Sequence, residues 1–153
     1  MGDRTALVET FENLYRANIA EMVRLAFLVT GSVYVAEEVV HDSFIAVQQK
    51  WDKINNPRAY LRSAVVNRSR SHLRGLSIQR RAPIELPLPS YPEEIDETWA
   101  LIQQLPTKQR AALALHYYLD LPIAEIAEVM GERPGTVKSL LHRGREALRK
   151  EMA

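Results

Sequence analysis

Four prolines between positions 83 and 92 divide this chain in two: Pro83, Pro87, Pro89 and Pro92. Each lacks a backbone N–H, and each disfavours the α region for the residue before it. RAPIELPLPSYPEE therefore reads as an extended linker. Helical periodicity stops before it and returns after it, so the chain is expected to build one helical unit on each side.

The chain's 153 residues suit one ordinary domain or two very small ones, and 46% apolar residues are enough to pack cores. Leu, Ala, Glu, Arg and Val dominate as they do in helical proteins, so the expected fold class is all-α. No cysteine is present, which excludes disulfide frameworks, thiolate zinc sites and cysteine nucleophiles and fits a reducing cytoplasm. The apolar run LAFLV is far too short to span a bilayer, so no export or membrane segment is expected.

A formal net charge of +1 hides a blockwise distribution. Arg58 to Arg81 holds seven arginines and no acid, whereas Ile84 to Thr98 holds five acids and no base. An acidic strap thus separates two basic units.

Within the first half, Phe11, Leu14, Asn18, Met22, Leu25 and Val29 step by three or four, as do Ala36, Val39, Val40, Ser43, Phe44, Val47 and Trp51. Two amphipathic helices are predicted, punctuated by Gly31-Ser32. Asn55-Asn56-Pro57 signals a turn and a helix start, and a third helix is expected from about Arg58 to Arg74, stopping near Gly75. On it, Ser63, Asn67, Arg70 and Arg74 share one arc and Arg58, Arg62 and Ser69 another, a surface suited to phosphates. Trp51 and Tyr60 offer rings on which an unpaired base can stack, although either residue also suits a core.

The most specific signal lies in the second half. In PIAEIAEVMGERPGTVKSLLHRGREALRK, Ala127, Gly131 and Val137 have the spacing of a helix-turn-helix. Small Ala127 permits close helix approach, Gly131 can close the first helix in the left-handed conformation, and Val137 packs the second helix back. On that second helix Val137, Leu141, Gly144 and Leu148 form an apolar seam, while Lys138, His142, Arg145 and Arg149 follow one wet stripe and Ser139, Arg143 and Lys150 the next. Such a helix fits a DNA major groove. A basic terminal helix is by itself more often a solvated face; the turn signature tips the balance to DNA contact.

Glu37, Glu38, His41, Asp42 and Gln48 lie outside an otherwise apolar helix. No second histidine stands four residues from His41, so metal binding is not expected. His72, His116 and His142 are scattered singly, and no phosphate loop, nucleophile elbow or paired-carboxylate motif appears. No cofactor, small-molecule substrate or enzymatic activity is expected.

Taken together, these segments resemble the extracytoplasmic-function sigma factors. FENLYRANIAEMVRLAFLVTGSVYVAEEVVHDSFIAVQQKWDKINNPRAYLRSAVVNRSRSHLR is similar to sigma region 2, and IQQLPTKQRAALALHYYLDLPIAEIAEVMGERPGTVKSLLHRGREALRK to region 4. The resemblance implies a three-helix region 2 unit over residues 1–76, a flexible linker over 77–95 and a region 4 helix-turn-helix unit over 96–153. It implies that Glu38, Asp42, Phe44, Gln48 and Trp51 dock on the clamp helices of the largest subunit of core RNA polymerase. Asn55, Asn56, Arg62, Asn67, Arg68, Arg70 and Arg74 would open and read the minus-10 element of promoter DNA. Thr136, Lys138, Ser139, His142, Arg143 and Arg145 would read the minus-35 element. An anti-sigma factor joins the implied partners.

Three positions depart from the family's pattern. Pro122 replaces a Ser or Thr cap, which a first helical turn tolerates. Leu140 replaces a basic residue and Gly144 an alanine, implying fewer phosphate contacts and a less stable recognition helix. Two other functions fit parts of the pattern: a helix-turn-helix regulator whose first half senses a ligand or dimerises, and a helical adaptor or antagonist that binds only protein. The acids and arginines exposed in the first half favour polymerase and DNA. Each module is small, so weak binding to duplex DNA is expected until polymerase holds both at the right separation.

Overall fold

The computed structural model describes residues 10–79 and 97–152, all-α throughout that extent. The four prolines and their neighbouring acids, and with them nearly all of the expected linker, lie outside the described residues. No helix among those described is long and apolar enough to cross a membrane.

Helix α1 (Phe11–Thr30) starts where Thr10 Oγ1 accepts from Asn13 N–H at 3.1 Å. Leu14, Asn18, Met22, Leu25 and Val29 are all buried, as their spacing predicts. Asn18 tolerates this apolar stripe because its Nδ2 donates to the Leu14 carbonyl at 2.9 Å. The Gly31-Ser32 pair then does two jobs. Gly31 takes φ 77° and returns its N–H to the Phe27 carbonyl at 2.8 Å, ending α1. Ser32 Oγ accepts from Val35 N–H at 3.2 Å and opens α2 (Val33–Gln49).

After a 3₁₀ turn at Trp51–Lys53, Asn56 Oδ1 accepts from Ala59 N–H at 3.1 Å and caps α3 (Pro57–Gln79). The expected stop near Gly75 is not observed, since α3 continues through it to Gln79. A lone interior glycine weakens a helix by about 1 kcal/mol without breaking its hydrogen-bond ladder. Helices α1, α2 and α3 pack on one another as a three-helix unit.

The second unit comprises α4 (Glu97–Ile102), α5 (Thr107–Leu113), a π turn (Ala114–Tyr118), α6 (Ile123–Met130) and α7 (Pro134–Met152). Gly131 has φ 65°, its N–H reaches the Glu128 carbonyl at 3.3 Å, and Glu132 N–H reaches the Ala127 carbonyl at 3.0 Å. This paired closure is a Schellman motif. Val137 is fully buried and Ala127 nearly so, placing α7 hard against α6. Gly144 serves packing as well: a Cβ there would lie 2.7 Å from Leu113 Cδ1, and Leu113 is buried. The small residue lets α7 approach α5, at the cost in helix propensity expected from the sequence.

The two units pack together, with α6 against α3 and α5 and the π turn against α1. Gln103 Nε2 donates to the Leu28 carbonyl at 2.7 Å and the Phe27 carbonyl at 3.4 Å. Arg110 Nη1 donates to the Val29 carbonyl at 2.7 Å, while its Nε holds the Leu105 carbonyl at 2.8 Å.

No atom lies within 4 Å of a Cβ built on Gly131, so its substitution isolates the backbone cost. Gly131→Ala should lower stability by about 1–2 kcal/mol, and Gly131→Asn should recover part of that loss. Urea unfolding of the three proteins measures both.

Candidate nucleic-acid interface

Helix α7 separates its residues as the sequence predicts. Val137, Leu140 and Leu141 are buried, and Ala147 and Leu148 pack against the core. Thr136, Lys138, Ser139, His142, Arg143 and Arg145 are all exposed. At about 100° per residue, Lys138 and Arg145 occupy one flank, Thr136 and Arg143 the other, and Ser139 and His142 the outward middle. Leu140 departs from the family's basic residue because it points into the core, 8% exposed. Tyr117 fixes one cation: its hydroxyl accepts from Arg145 Nη1 at 3.0 Å. His116 is structural, its Nδ1 donating to the Leu121 carbonyl at 3.1 Å.

The minus-10 candidates do not form one surface. Asn55, Asn56 and Arg62 line a cleft of about 540 Å³ together with Lys50, Lys53, Tyr60 and Ser63. Tyr60 supplies a ring there, with Lys50 Nζ 5.8 Å from its centroid. Trp51 does not, because it packs edge-on against Phe11 at 5.8 Å. Asn67 is exposed and Arg70 half-buried. Arg68, about 100° round the helix from Asn67, instead shares a groove with Glu38, Asp42, Ser71 and His72. The Arg74 side chain lies outside the described residues.

One expectation on α3 is corrected. Ser69 is fully buried, so it cannot meet a phosphate; its Oγ has no partner. Asn56 is a helix cap, as the Asn-Asn-Pro turn predicts, as well as a wall of the cleft, and the cap commits its Oδ1. Burial pushes the Arg62 guanidinium below its ordinary pKa, neighbouring Arg58 adds to this, and Glu21 and Glu125 oppose it. Arginine remains charged through such a shift.

On α2, Glu38, Asp42 and Gln48 are exposed together with Glu37 and His41. Phe44 is only 2% exposed and packs on Phe11 and Tyr15, with centroids 6.1 and 4.9 Å away. It is a core residue and cannot itself touch a partner. Half-buried Trp51 belongs to the same aromatic cluster. Tyr34 and Ile45, exposed on α2, went unremarked in the sequence because isolated apolar residues are common on surfaces.

Residues 14–77 match the family described as Sigma-70 region 2, and residues 95–148 match Sigma-70, region 4. The chain belongs to the extracytoplasmic-function sigma factors. It is 28% identical to the ECF RNA polymerase sigma factor SigW of Bacillus subtilis, across 99% of this chain and 91% of SigW. Identity to SigM of Mycobacterium tuberculosis is also 28%, across 96% and 77% of the two chains. In fold it is similar to the sigma factor RpoE of Bartonella quintana, solved with the anti-sigma factor NepR (TM-score 0.78, 20% identity, 94% and 96% covered). This sigma factor binds core RNA polymerase and directs promoter-specific initiation of transcription.

Lys50 and Lys53 join the cleft although the sequence had not marked them. Their signal was their place on either side of Trp51, immediately before the Asn-Asn-Pro turn. More unexpected is the opposite wall, formed by Glu125, Glu128 and Val129 of α6. No local pattern connects those acids to residues so far upstream.

Asn56 both caps α3 and lines the cleft, and substitution separates the two. Asn56→Asp keeps an N-cap acceptor and should preserve the thermal midpoint, while placing a negative charge in the cleft and reducing promoter opening. Asn56→Ala should cost about 1 kcal/mol in stability. Thermal unfolding beside permanganate footprinting of the minus-10 region distinguishes the two effects.

Proposed function

We propose that this sigma factor divides its work among three surfaces. Thr136, Lys138, Ser139, His142, Arg143 and Arg145 read the minus-35 element from the major groove. Asn55, Asn56, Arg62, Asn67 and Arg70, joined by Lys50, Lys53 and Tyr60, receive the opened minus-10 strand, with Arg68 and Arg74 on its margin. Glu38, Asp42 and Gln48 face the clamp helices of the polymerase largest subunit, held in register by Phe44 and Trp51. Residues 1–76 and 96–153 act as the two modules and residues 77–95 as their linker.

The observation that carries this reading is α7 itself. A tight left-handed turn presents a helix whose inner seam is dry and whose outer face carries four cationic or imidazole groups, Lys138, His142, Arg143 and Arg145. That combination suits a groove lined by base acceptors and phosphates. The first unit's split between acids on α2 and bases on α3 suits simultaneous contact with a protein and with DNA. The chain works in the cytoplasm, where its polymerase is, as a binding subunit without cofactor, metal, small-molecule substrate or chemistry of its own. An anti-sigma factor is a further partner, by analogy with the complex of RpoE and NepR. Run-off transcription with purified core polymerase on a genomic library tests the function and reports the promoter together.

Charge reversal at exposed Asp42 should weaken association with core polymerase and leave the fold intact. Asp42→Arg is expected to change stability by less than about 1 kcal/mol, because surface charge pairs contribute little. Competition for core enzyme against the parent chain measures the loss, and equal occupancy would remove Asp42 from the docking face.

Within the recognition helix, Arg143→Ala should cost about 1–3 kcal/mol and relax preference at one minus-35 position. Lys138→Ala should weaken all sequences alike and shrink the salt slope by about one. A planar guanidinium pairs with two guanine acceptors where an ammonium acts as a point charge. Transcription from minus-35 variants over a range of salt separates these outcomes.

A further inference from the structure

We propose that Tyr117 is a DNA contact of the minus-35 surface: its phenol and the Arg145 guanidinium form one clamp for a backbone phosphate. Arg145 then serves the minus-35 reading by holding the strand in register. This inference rests on the assignment of α7 to the minus-35 element.

The backbone before α6 is built to present this ring. Ala114–Tyr118 is a π turn, and Leu119 N–H reaches the Ala114 carbonyl at 3.2 Å across it. An inserted residue of this kind changes the angle between neighbouring side chains and recurs at functional sites. Asp120 then takes φ 54°, a left-handed conformation that aspartate tolerates better than most residues, and the chain turns towards α6. The two adjacent tyrosines end up in opposite settings. Tyr118 packs against the core, whereas Tyr117 stays 48% exposed.

Tyr117 is nevertheless held on two sides. His116, fixed by its bond to the Leu121 carbonyl, meets the Tyr117 ring edge-on with centroids 4.7 Å apart. From α7, 28 positions along the chain, Arg145 Nη1 donates to the Tyr117 hydroxyl at 3.0 Å. Core packing does not require this bond, since both side chains are exposed.

What the bond does is gather donors at one spot. The hydroxyl accepts from Arg145 and keeps its own proton to donate, and accepting from a cation makes that proton a better donor. A neutral phenol leaves the guanidinium charge uncompensated, while the adjacent acid, Glu146, pairs with Arg149 at 3.2 Å. Bidentate pairing with guanine takes two parallel donors of the fork, and one nitrogen of this fork is already engaged by a residue outside α7. The remaining guanidinium donors and the phenol proton together suit an oxyanion with several lone pairs, which a backbone phosphate supplies.

The test uses holoenzyme assembled from core polymerase and the full chain, on the promoter that run-off transcription reports. Methylphosphonate linkages, each removing the charge of one phosphate, are placed singly along the minus-35 element. Parent holoenzyme should lose affinity at the clamped phosphate. Tyr117→Phe keeps the ring and its packing on His116, so the thermal midpoint should hold. Its affinity for the unmodified promoter should fall about three- to tenfold, the range of one hydrogen bond. Arg145→Ala should lower affinity about tenfold and shrink the salt slope by about one. Combining the two should cost little more than Arg145→Ala alone, because the pair acts as a unit. In the combined variant the methylphosphonate at the clamped phosphate should have no further effect, and base preference should be unchanged in all three proteins.

Additive losses, a relaxed base preference at one position, or a methylphosphonate effect that persists in the combined variant would each overturn the clamp. Arg143→Ala, measured in parallel, separates this outcome from the minus-35 assignment. If Arg143→Ala impairs minus-35 use and Tyr117→Phe does not, the clamp falls and the assignment stands. If none of the three substitutions impairs it, the assignment falls and the inference with it.

Discussion

Two carbonyls at the end of α1 join the units of the molecule. Phe27, Leu28 and Val29 are buried; the Phe27 carbonyl already accepts from Gly31 N–H, whereas those of Leu28 and Val29 lie where the helix runs out of its own donors. Leaving such a group unsatisfied costs about 1–3 kcal/mol. Donors come from Gln103 and Arg110, residues of the second unit. Once those bonds form, α5 lies on α1, α6 lies on α3, and the basic cleft of the first unit acquires an acidic wall. The placement of that acidic wall follows from how the second unit sits on the first.

The basic residues of α7 and α3 consequently differ in exposure. The cations of α7 look outward and remain exposed, whereas Arg62 and Arg70 are half-buried near acids of α6 and the turn that follows. A single exposed recognition helix gives little affinity on its own, and the two modules gain from each other only when their separation matches the promoter.

Much of the local structure was legible in the sequence. The stripes of α1 and α2 are buried as their periodicity predicts, Gly31-Ser32 and Gly131 close and open helices where turn chemistry places them, and α7 exposes its cations. The departures have identifiable causes. Gly75 did not end α3 because one glycine is a modest penalty in a long helix. Phe44 lies in the core although it adjoins the acids, since helical neighbours point about 100° apart. Ser69 shared an arc with Arg62 on paper, but the first unit's packing buries it. Gly144, which looked like a weakness of the recognition helix, is the point at which Leu113 needs space.

By itself the sequence determined which segments are helices, where they are capped, where the left-handed turn falls and which charges each helix carries. These depend on residues within a turn or two of one another, and so leave a local pattern. Only the tertiary structure decided what each outward face meets. Gln103 and Leu28 are 75 positions apart, and periodicity specifies that a helix has a face to present without specifying its partner. Arg62, which the sequence placed on a solvated surface, thereby lines a cleft whose other wall carries the carboxylates of α6.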